Sequence, residues 1–445
     1  MNMTAVKLAH SLFSKALDAG ETVLDTAEDS VGKNRFTSAV RAVTDTARAA
    51  ADWVETRTRC PPPSAYKGFS FPDHTTLNEH RSGWNHVMNI MLDEFHQPDG
   101  PRFVDFAERV WGWHLPACGA TKNVYYDGKS FDVSSERYSI IGGRHVVVTD
   151  DDIVLEYDVT SCRWRVSSMT KAEFVEHREP GVIDEDFVAV FHNPPDMPDW
   201  FDYGNSPQSI LERDEFKRSL PNCRGVFVFS EYLADWLKER LPDTVPVSVI
   251  PHPTERPAAR HMWTPEKFLK NPEKTVVSVG YWLRRLGSVF ELAVPDGFSK
   301  KWLYGSEHAF DMLTKESLAR PETGRAVMTG DVRVNRVSNA EYDRTLSKNV
   351  AFIDLYDSSM NNGIVECITR HTPVFVRRLP AVVEHLGKGY PLLFDDLSEV
   401  EEKLKSFDNL LAAHVWLVEL DKDDKYSKER FVQAVKDSEV FRSIF

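Results

Sequence analysis

The chain has 445 residues, 42% of them hydrophobic, enough for the cores of two or three ordinary domains and too much for a small binding module. Its formal net charge of -14 would repel a phosphate backbone, so general nucleic-acid binding is not expected. No apolar run approaches the ~20 residues of a membrane-spanning helix, and Cys60, Cys118, Cys162, Cys223 and Cys367 show no close pairing, which predicts free thiols in a reducing compartment.

At the start of the chain the basic, apolar and small-residue succession of a secretory signal is absent, which points to the cytoplasm. Val6, Ala9, Leu12, Phe13, Ala16 and Leu17, then Val40, Val43, Ala47, Ala50 and Val54, recur at helical spacing and predict a helical pair that ends at Pro61, Pro62 and Pro63. This N-terminal helical extension (1–60) reads as an appendage on the body or as oligomerisation or membrane-surface helices, and its mixed charges do not favour the membrane. A first Rossmann-like domain is expected over 61–255, interrupted by a β-rich insertion over 118–180. In the insertion, short alternating stretches predict strands at 138–141, 145–149, 153–159 and 163–166, an inserted β-meander. Beyond it an apolar strand (187–191), a helix, a strand (225–229), a helix (232–240) and a strand (247–250) alternate as in a doubly wound parallel sheet.

Five prolines (Pro251, Pro253, Pro257, Pro265, Pro272) mark a linker, placed at 256–272. A second Rossmann-like domain is expected over 273–399, with strands at 275–279, near Trp302, at 326–328, 350–355 and 373–376, and helices at 340–347, 363–370 and 381–386. The helical tail (400–445) is long enough to reach back over the first domain.

Two doubly wound domains create a cleft, and ligands of open α/β sheets bind beyond the carboxyl ends of the strands. In the second domain the first strand runs into Tyr281-Trp282-Leu283-Arg284-Arg285, whose paired guanidinium groups suit an anionic diphosphate or are an ordinary solvated basic pair. The loop after the strand at 350–355 carries Asp357, Ser358, Ser359, Met360, Asn361, Asn362 and Gly363 before a helix with Glu366. Small polar residues ahead of a helix N-terminus receive a phosphate, and Glu366 can accept from ribose hydroxyls. The alternative is that Asn362 caps the helix and Glu366 complements its dipole.

The runs Asn361-Asn362-Gly363-Ile364-Val365-Glu366-Cys367-Ile368, Thr372-Pro373-Val374-Phe375-Val376 and Leu379-Pro380-Ala381-Val382-Val383-Glu384-His385-Leu386-Gly387 resemble the donor-binding end of GT-B glycosyltransferases. The likeness is greatest to family-four-like enzymes, including those of large DNA viruses and some bacteria. Phe191-His192-Asn193-Pro194, Val228-Phe229-Ser230-Glu231-Tyr232-Leu233, Val249-Ile250-Pro251-His252-Pro253-Thr254 and Ser278-Val279-Gly280-Tyr281 extend it upstream in order. The resemblance implies that Glu366 binds the donor ribose, Arg284 or Arg285 the diphosphate, and the backbone at Asn362 and Gly363 the phosphates or sugar. It also implies a glycosyltransferase, hexosyltransferase-like, that moves a sugar from a UDP or GDP conjugate to an acceptor hydroxyl without a required metal or other cofactor. The family often pairs the helix glutamate with another eight residues earlier, near the donor sugar; that position here is Ser358.

In the first domain, Gly83 and Trp84 stand where this family's glycine-bearing loop faces donor and acceptor, and a glycine there lets backbone approach a ligand. His192 ends a strand and points toward the same cleft as a base or sugar contact; Asp196 and Asp199, in the next loop, are further base candidates. His252 closes the next strand, to line the cleft or order the hinge. A rival reading is a metal-dependent GT-A-like transferase using Asp150 and Asp152, set against their position at a hairpin tip. A GT-B-like fold that binds a glycan or nucleotide without turnover is the alternative from another class.

Overall fold

The structure is a computed structural model and describes residues 67–71, 81, 83–109, 123–126, 129–132, 138–141, 144–149, 152–158, 163–173, 183, 185–305 and 308–445. The expected N-terminal helical pair, with its suggested role in oligomerisation, lies outside the described residues. Among the described residues no helix is long and apolar enough to cross a membrane.

The first domain opens with helix α1 (Gly83–Phe95) and strand β1 (Arg102–Asp105). The insertion supplies a hairpin, β2 (Asn123–Tyr126) with β3 (Lys129–Asp132), and a four-stranded antiparallel meander, β4 (Tyr138–Ile141), β5 (Arg144–Val148), β6 (Val154–Asp158) and β7 (Arg163–Val166). The Asp150 to Asp152 stretch joins β5 to β6. Asp150 lies outside the described residues; Asp152 sits in the turn closed by the Thr149 and Ile153 backbone and pairs with Lys171 at 2.7 Å. It is the hairpin tip that immediate antiparallel return demands. Among the described residues, no group of three or more His, Cys, Asp or Glu gathers as metal ligands.

Strands β8 (Phe187–Val190), β9 (Cys223–Val228) and β10 (Val247–Val249) complete a parallel sheet in the order β1-β8-β9-β10. Both faces are covered, which is why β8 and the Val226–Val228 end of β9 read as continuous apolar runs. Phe103, Val188, Val190 and Phe227 face α1, while Val104, Phe187, Ala189, Val226 and Val228 face Leu233, Ala234 and Leu237 of helix α2 (Glu231–Lys238).

The second sheet holds β11 (Lys274–Val279), β12 (Phe298–Leu303), β13 (Arg333–Asn335), β14 (Val350–Ile353), β15 (Val374–Arg377) and β16 (Leu393–Phe394), all parallel, in the order β13-β12-β11-β14-β15-β16. Counted within the sheet, that is the doubly wound order 3-2-1-4-5-6, and the winding reverses between β11 and β14. Its helices include α3 (Asn339–Leu346), α4 (Asn362–Arg370) and α5 (Pro380–Leu386). The strand expected at 326–328 is instead part of a helix, Pro321–Thr329: a proline in the first turn starts it and Met328 is 87% exposed. The edge strand is β13, three residues with no apolar run to announce it. In the proline-rich stretch, Trp263 and Phe268 are buried in the second core.

The tail crosses the molecule. Helix α6 (Phe407–Leu420) packs Leu410, Ala413 and Leu417 on the second core, whereas α7 (Lys428–Asp437) and α8 (Glu439–Ile444) place Phe431, Val435, Val440 and Phe441 in the first, against Phe69, Phe95 and Phe103. Two Rossmann-like parallel sheets thus face one another across a cleft, the GT-B arrangement, with the chain's end returning to its first sheet.

Candidate active site

The cleft holds a cavity of about 370 Å³, walled by the first residues of α1, the carboxyl ends of β8, β9 and β10, and the loops after β11 and β14. The last two flank the strand-order reversal, where an open α/β sheet leaves a crevice. Helices begin on both sides of it. Gly83, Trp84 and Asn85 of α1 and Asn361 and Asn362 of α4 all line the cavity. Neither helix carries an acidic residue in its first turn. Asn361 occupies the N-cap position of α4 without capping it; its Oδ1 accepts from Arg284 Nη2 at 3.1 Å. The two positive helix ends therefore border one space, and neither first turn has a carboxylate of its own.

Gly83 makes that approach feasible. Its φ of 79° lies in the left-handed region, and a Cβ there would sit 3.4 Å from Asn362 Nδ2, so the two domains meet nearly backbone to side chain. Gly363 is equally constrained: a Cβ would stand 3.0 Å from Ile353 Cδ1 and 3.2 Å from Asn361 Oδ1.

On the first-domain wall, His192 lies against Trp84 with ring centroids 4.5 Å apart, and its Nε2 is 3.5 Å from Asp105 Oδ2. Burial lowers its pKa, opposed by the Asp105 charge. A neutral imidazole beside a buried carboxylate is disposed to take a proton from a hydroxyl in the cavity. His252 also lines the cavity, and burial takes its pKa down to about 3. Asn205 Oδ1 and His252 Nδ1 are buried with no hydrogen-bond partner among the described residues. Buried polar atoms of this kind call for a hydroxyl or water to complete them.

Asp196 and Asp199, expected as bases, are exposed and line no part of the cavity. The loop carrying them turns Asp196 outward while its backbone N–H donates to Asp357 Oδ2 at 2.9 Å. Two carboxylates do line the cavity: Asp357, from the polar loop ahead of α4, and Asp202, which no sequence motif marks. Asp357 also accepts from Tyr232 Oη at 3.2 Å, so it joins the domains; burial above all, with the Asp196 charge adding to it, pushes its pKa up to about 6. Asp202 has φ 46° and stands 3.9 Å from both His308 Nε2 and Lys315 Nζ of the second domain.

On the second-domain wall, Tyr281 and Ser358 line the cavity, but the two arginines do not. Arg284 is buried and donates to Val279 O (3.0 Å), Trp282 O (2.6 Å) and Asn361 Oδ1, which welds the β11 loop to the start of α4. Burial lowers its pKa to about 10, so it stays cationic at neutral pH and adds to the field of the α4 N-terminus. Arg285 turns away, its guanidinium 4.8 Å from the Tyr356 ring centroid. Glu366 is buried one turn into α4 and accepts from Tyr342 Oη; it too stands behind the lining. Gly363, next to Asn362, does not line the cavity; a Cβ there would stand 3.5 Å from Arg284 Nη2.

Fold and site together are two Rossmann-like parallel sheets enclosing one cavity, which two helix N-termini border beside the strand-order reversal. No protein-family model matches the chain, and no curated protein matches it in sequence. Among solved structures it is similar to S. aureus TarM in complex with fondaparinux, α-GlcNAc-glycerol and UDP, at TM-score 0.43 and 13% identity over 72% of this chain and 73% of that one. It is also similar to the pneumococcal O-GlcNAc transferase GtfA with UDP and GlcNAc (TM-score 0.41, 9% identity, 72% and 69% covered) and to Anabaena HepE with UDP and glucose (0.42, 9%, 57% and 71%). These overlaps are loose, and what the cavity does follows from its own residues.

Proposed function

We propose that the protein is a glycosyltransferase of the family-four-like kind, which transfers a hexosyl group from a nucleoside diphosphate sugar, with UDP or GDP as the carrier, to an acceptor hydroxyl in glycan synthesis. One observation carries the reading: two helix N-termini from separate sheets, α1 and α4, converge on one cavity at the strand-order reversal. A diphosphate matches that field, and backbone N–H groups with the nearby Arg284 charge would stabilise it as it leaves, a role that needs no metal. The unpartnered Asn205 and His252 atoms suit sugar hydroxyls, and His192 with Asp105 suits deprotonation of the acceptor. In this reading Glu366, held by Tyr342, receives the ribose when the α4 loop adjusts around the donor. Cys223 and Cys367 are free and buried, in keeping with action in the cytoplasm.

A ligand bound only by the folded state raises the unfolding temperature, so a thermal-shift screen against UDP, GDP and their sugar conjugates, with EDTA and with divalent metal, tests the reading. The expected result is a shift from one nucleotide family that persists in EDTA, followed by release of that nucleotide when a hydroxyl acceptor is supplied. No shift from any of them removes the donor assignment; a shift without release or transfer from a panel of acceptors favours a binding protein without turnover.

A further inference from the structure

Asp343 lies on α3, outside the cavity lining, yet its carboxylate gathers three basic side chains from three segments. Arg81 reaches it from the first domain, with Nη1 2.8 Å from Oδ2 and Nη2 3.3 Å from Oδ1. Arg370, the last residue of α4, donates Nη2 and Nε to Oδ1 at 2.7 and 3.2 Å, and His261 Nδ1 stands 3.4 Å from Oδ2. The Asp343 and Arg370 side chains are 4% and 3% exposed. Burial would raise the Asp343 pKa, but the His261 hydrogen bond and the Arg370 and Arg81 charges outweigh it and hold the carboxyl well below the usual range.

Both arginines connect directly to the cavity walls. Arg81 stands two residues before Gly83, and its carbonyl oxygen is fixed by Glu255 N–H at 2.9 Å and Thr254 Oγ1 at 3.3 Å. Arg370 Nη1 donates to Glu366 O at 3.2 Å, inside α4. One buried anion thus stands between the segment that starts α1 and the helix whose N-terminus faces it.

We infer that Asp343 is a positioning residue: through Arg81, two residues ahead of α1, and Arg370 it ties the start of α1 to α4 and sets the spacing of the two helix ends across the cavity. Its consequence for catalysis rests on the donor reading above; the tie itself does not. An exposed ion pair would add little, but here the shared carboxylate and Arg370 are buried, so Asp343 stripped of a guanidinium partner would be a poorly compensated desolvated charge.

Hydrogen–deuterium exchange on the full chain without ligand tests the tie with two variants, Arg81→Met and Asp343→Asn. Arg81→Met should speed exchange over 83–90 and leave 362–370 as in wild type, because Arg370 keeps its partner; Asp343→Asn should speed both. Wild-type exchange over 83–90 in Arg81→Met overturns the inference, whether or not nucleotide binds. Should Asp343→Asn fail to fold, Arg81→Met decides alone, since the Arg81 side chain is 31% exposed and methionine keeps an apolar stem in its place. Titration with UDP and GDP then separates the two readings. Misplaced binding groups should weaken the preferred nucleotide by about tenfold in each variant, with partial recovery in Arg81→Lys. Loosened exchange with unchanged affinity overturns the positioning role, whereas a wild-type protein that binds neither nucleotide sinks the donor reading and leaves the tie to be judged by exchange.

Discussion

Asp357 accepts the N–H of Asp196 and of Ser358 and the hydroxyl of Tyr232, yet its pKa is pushed up to about 6, because burial beside Asp196 disfavours the charge more than three donors favour it. A carboxyl that binds its proton more tightly in the folded state contributes stability that is complete below its unfolded pKa and lost as pH rises through its folded one. From the ordinary 3.8 to about 6, the effect is at most roughly 3 kcal/mol, lost between about pH 4 and pH 7. Asp357→Asn keeps an acceptor for Asp196 and Tyr232 without the charge. Its unfolding temperature should exceed that of wild type at pH 7.5, and the advantage should shrink toward pH 5; parallel curves across that range would mean the strain is absent. At this scale the sequence is an uneven guide. Gly83, His192, Tyr281, Ser358, Asn361 and Asn362 are readable because each starts a helix or lies in the segment that follows a strand, and each lines the cavity. Asp105, Asn205 and Asp343 are not, since what makes them notable is a partner brought close only by folding: Arg81 and Asp343 are 262 residues apart.

Helix α4 is the element on which most of the site depends, and its first turn is where folding and ligand binding pull in opposite directions. An acidic residue there would satisfy the helix, by about 0.3–1 kcal/mol, and would also fill the field that a diphosphate needs. Asn362→Asp should therefore leave the unfolding temperature equal or slightly higher while nucleoside diphosphate affinity falls by at least ~10-fold, about 1.4 kcal/mol. Calorimetric titration of a correctly folded variant that bound UDP or GDP as well as wild type would remove the phosphate from this helix end. The same balance explains what was legible among the elements. β8 and β14 are unbroken buried apolar runs, β9 and β11 carry shorter ones at Val226–Val228 and Val276–Val277, and these runs, followed by helices, declare a parallel sheet. β13 has no such run, because an edge strand needs little burial, and the apolar residues just before it, Ala326 to Met328, belong to a helix.

Across the whole molecule, the chain's last helices belong to its first core. Phe431, Val435, Val440 and Phe441 pack on Phe69, Val87, Phe95 and Phe103, and Val440 N–H donates to Ser248 Oγ at 3.2 Å. The fit is close: a Cβ on Gly225 of β9 would come within 2.7 Å of Val440. Between the two cores the tail is clasped to the interdomain segment, where Arg256 pairs with Asp421 at 2.8 Å and Asp424 at 2.6 Å, and Thr254 N–H donates to Tyr426 O at 2.9 Å. Four buried apolar side chains at roughly 1.5–3 kcal/mol each amount to much of the ~5–15 kcal/mol that holds an ordinary domain together. Removal of residues 428–445 should therefore unfold the first domain and spare the second, whose own tail helix, α6, remains. Scanning calorimetry would show the loss of one transition and the retention of another, and limited proteolysis would leave a fragment beginning near residue 256. If the truncated chain instead melts as one unit near the wild-type temperature, α7 and α8 are a cover on a core that stands without them.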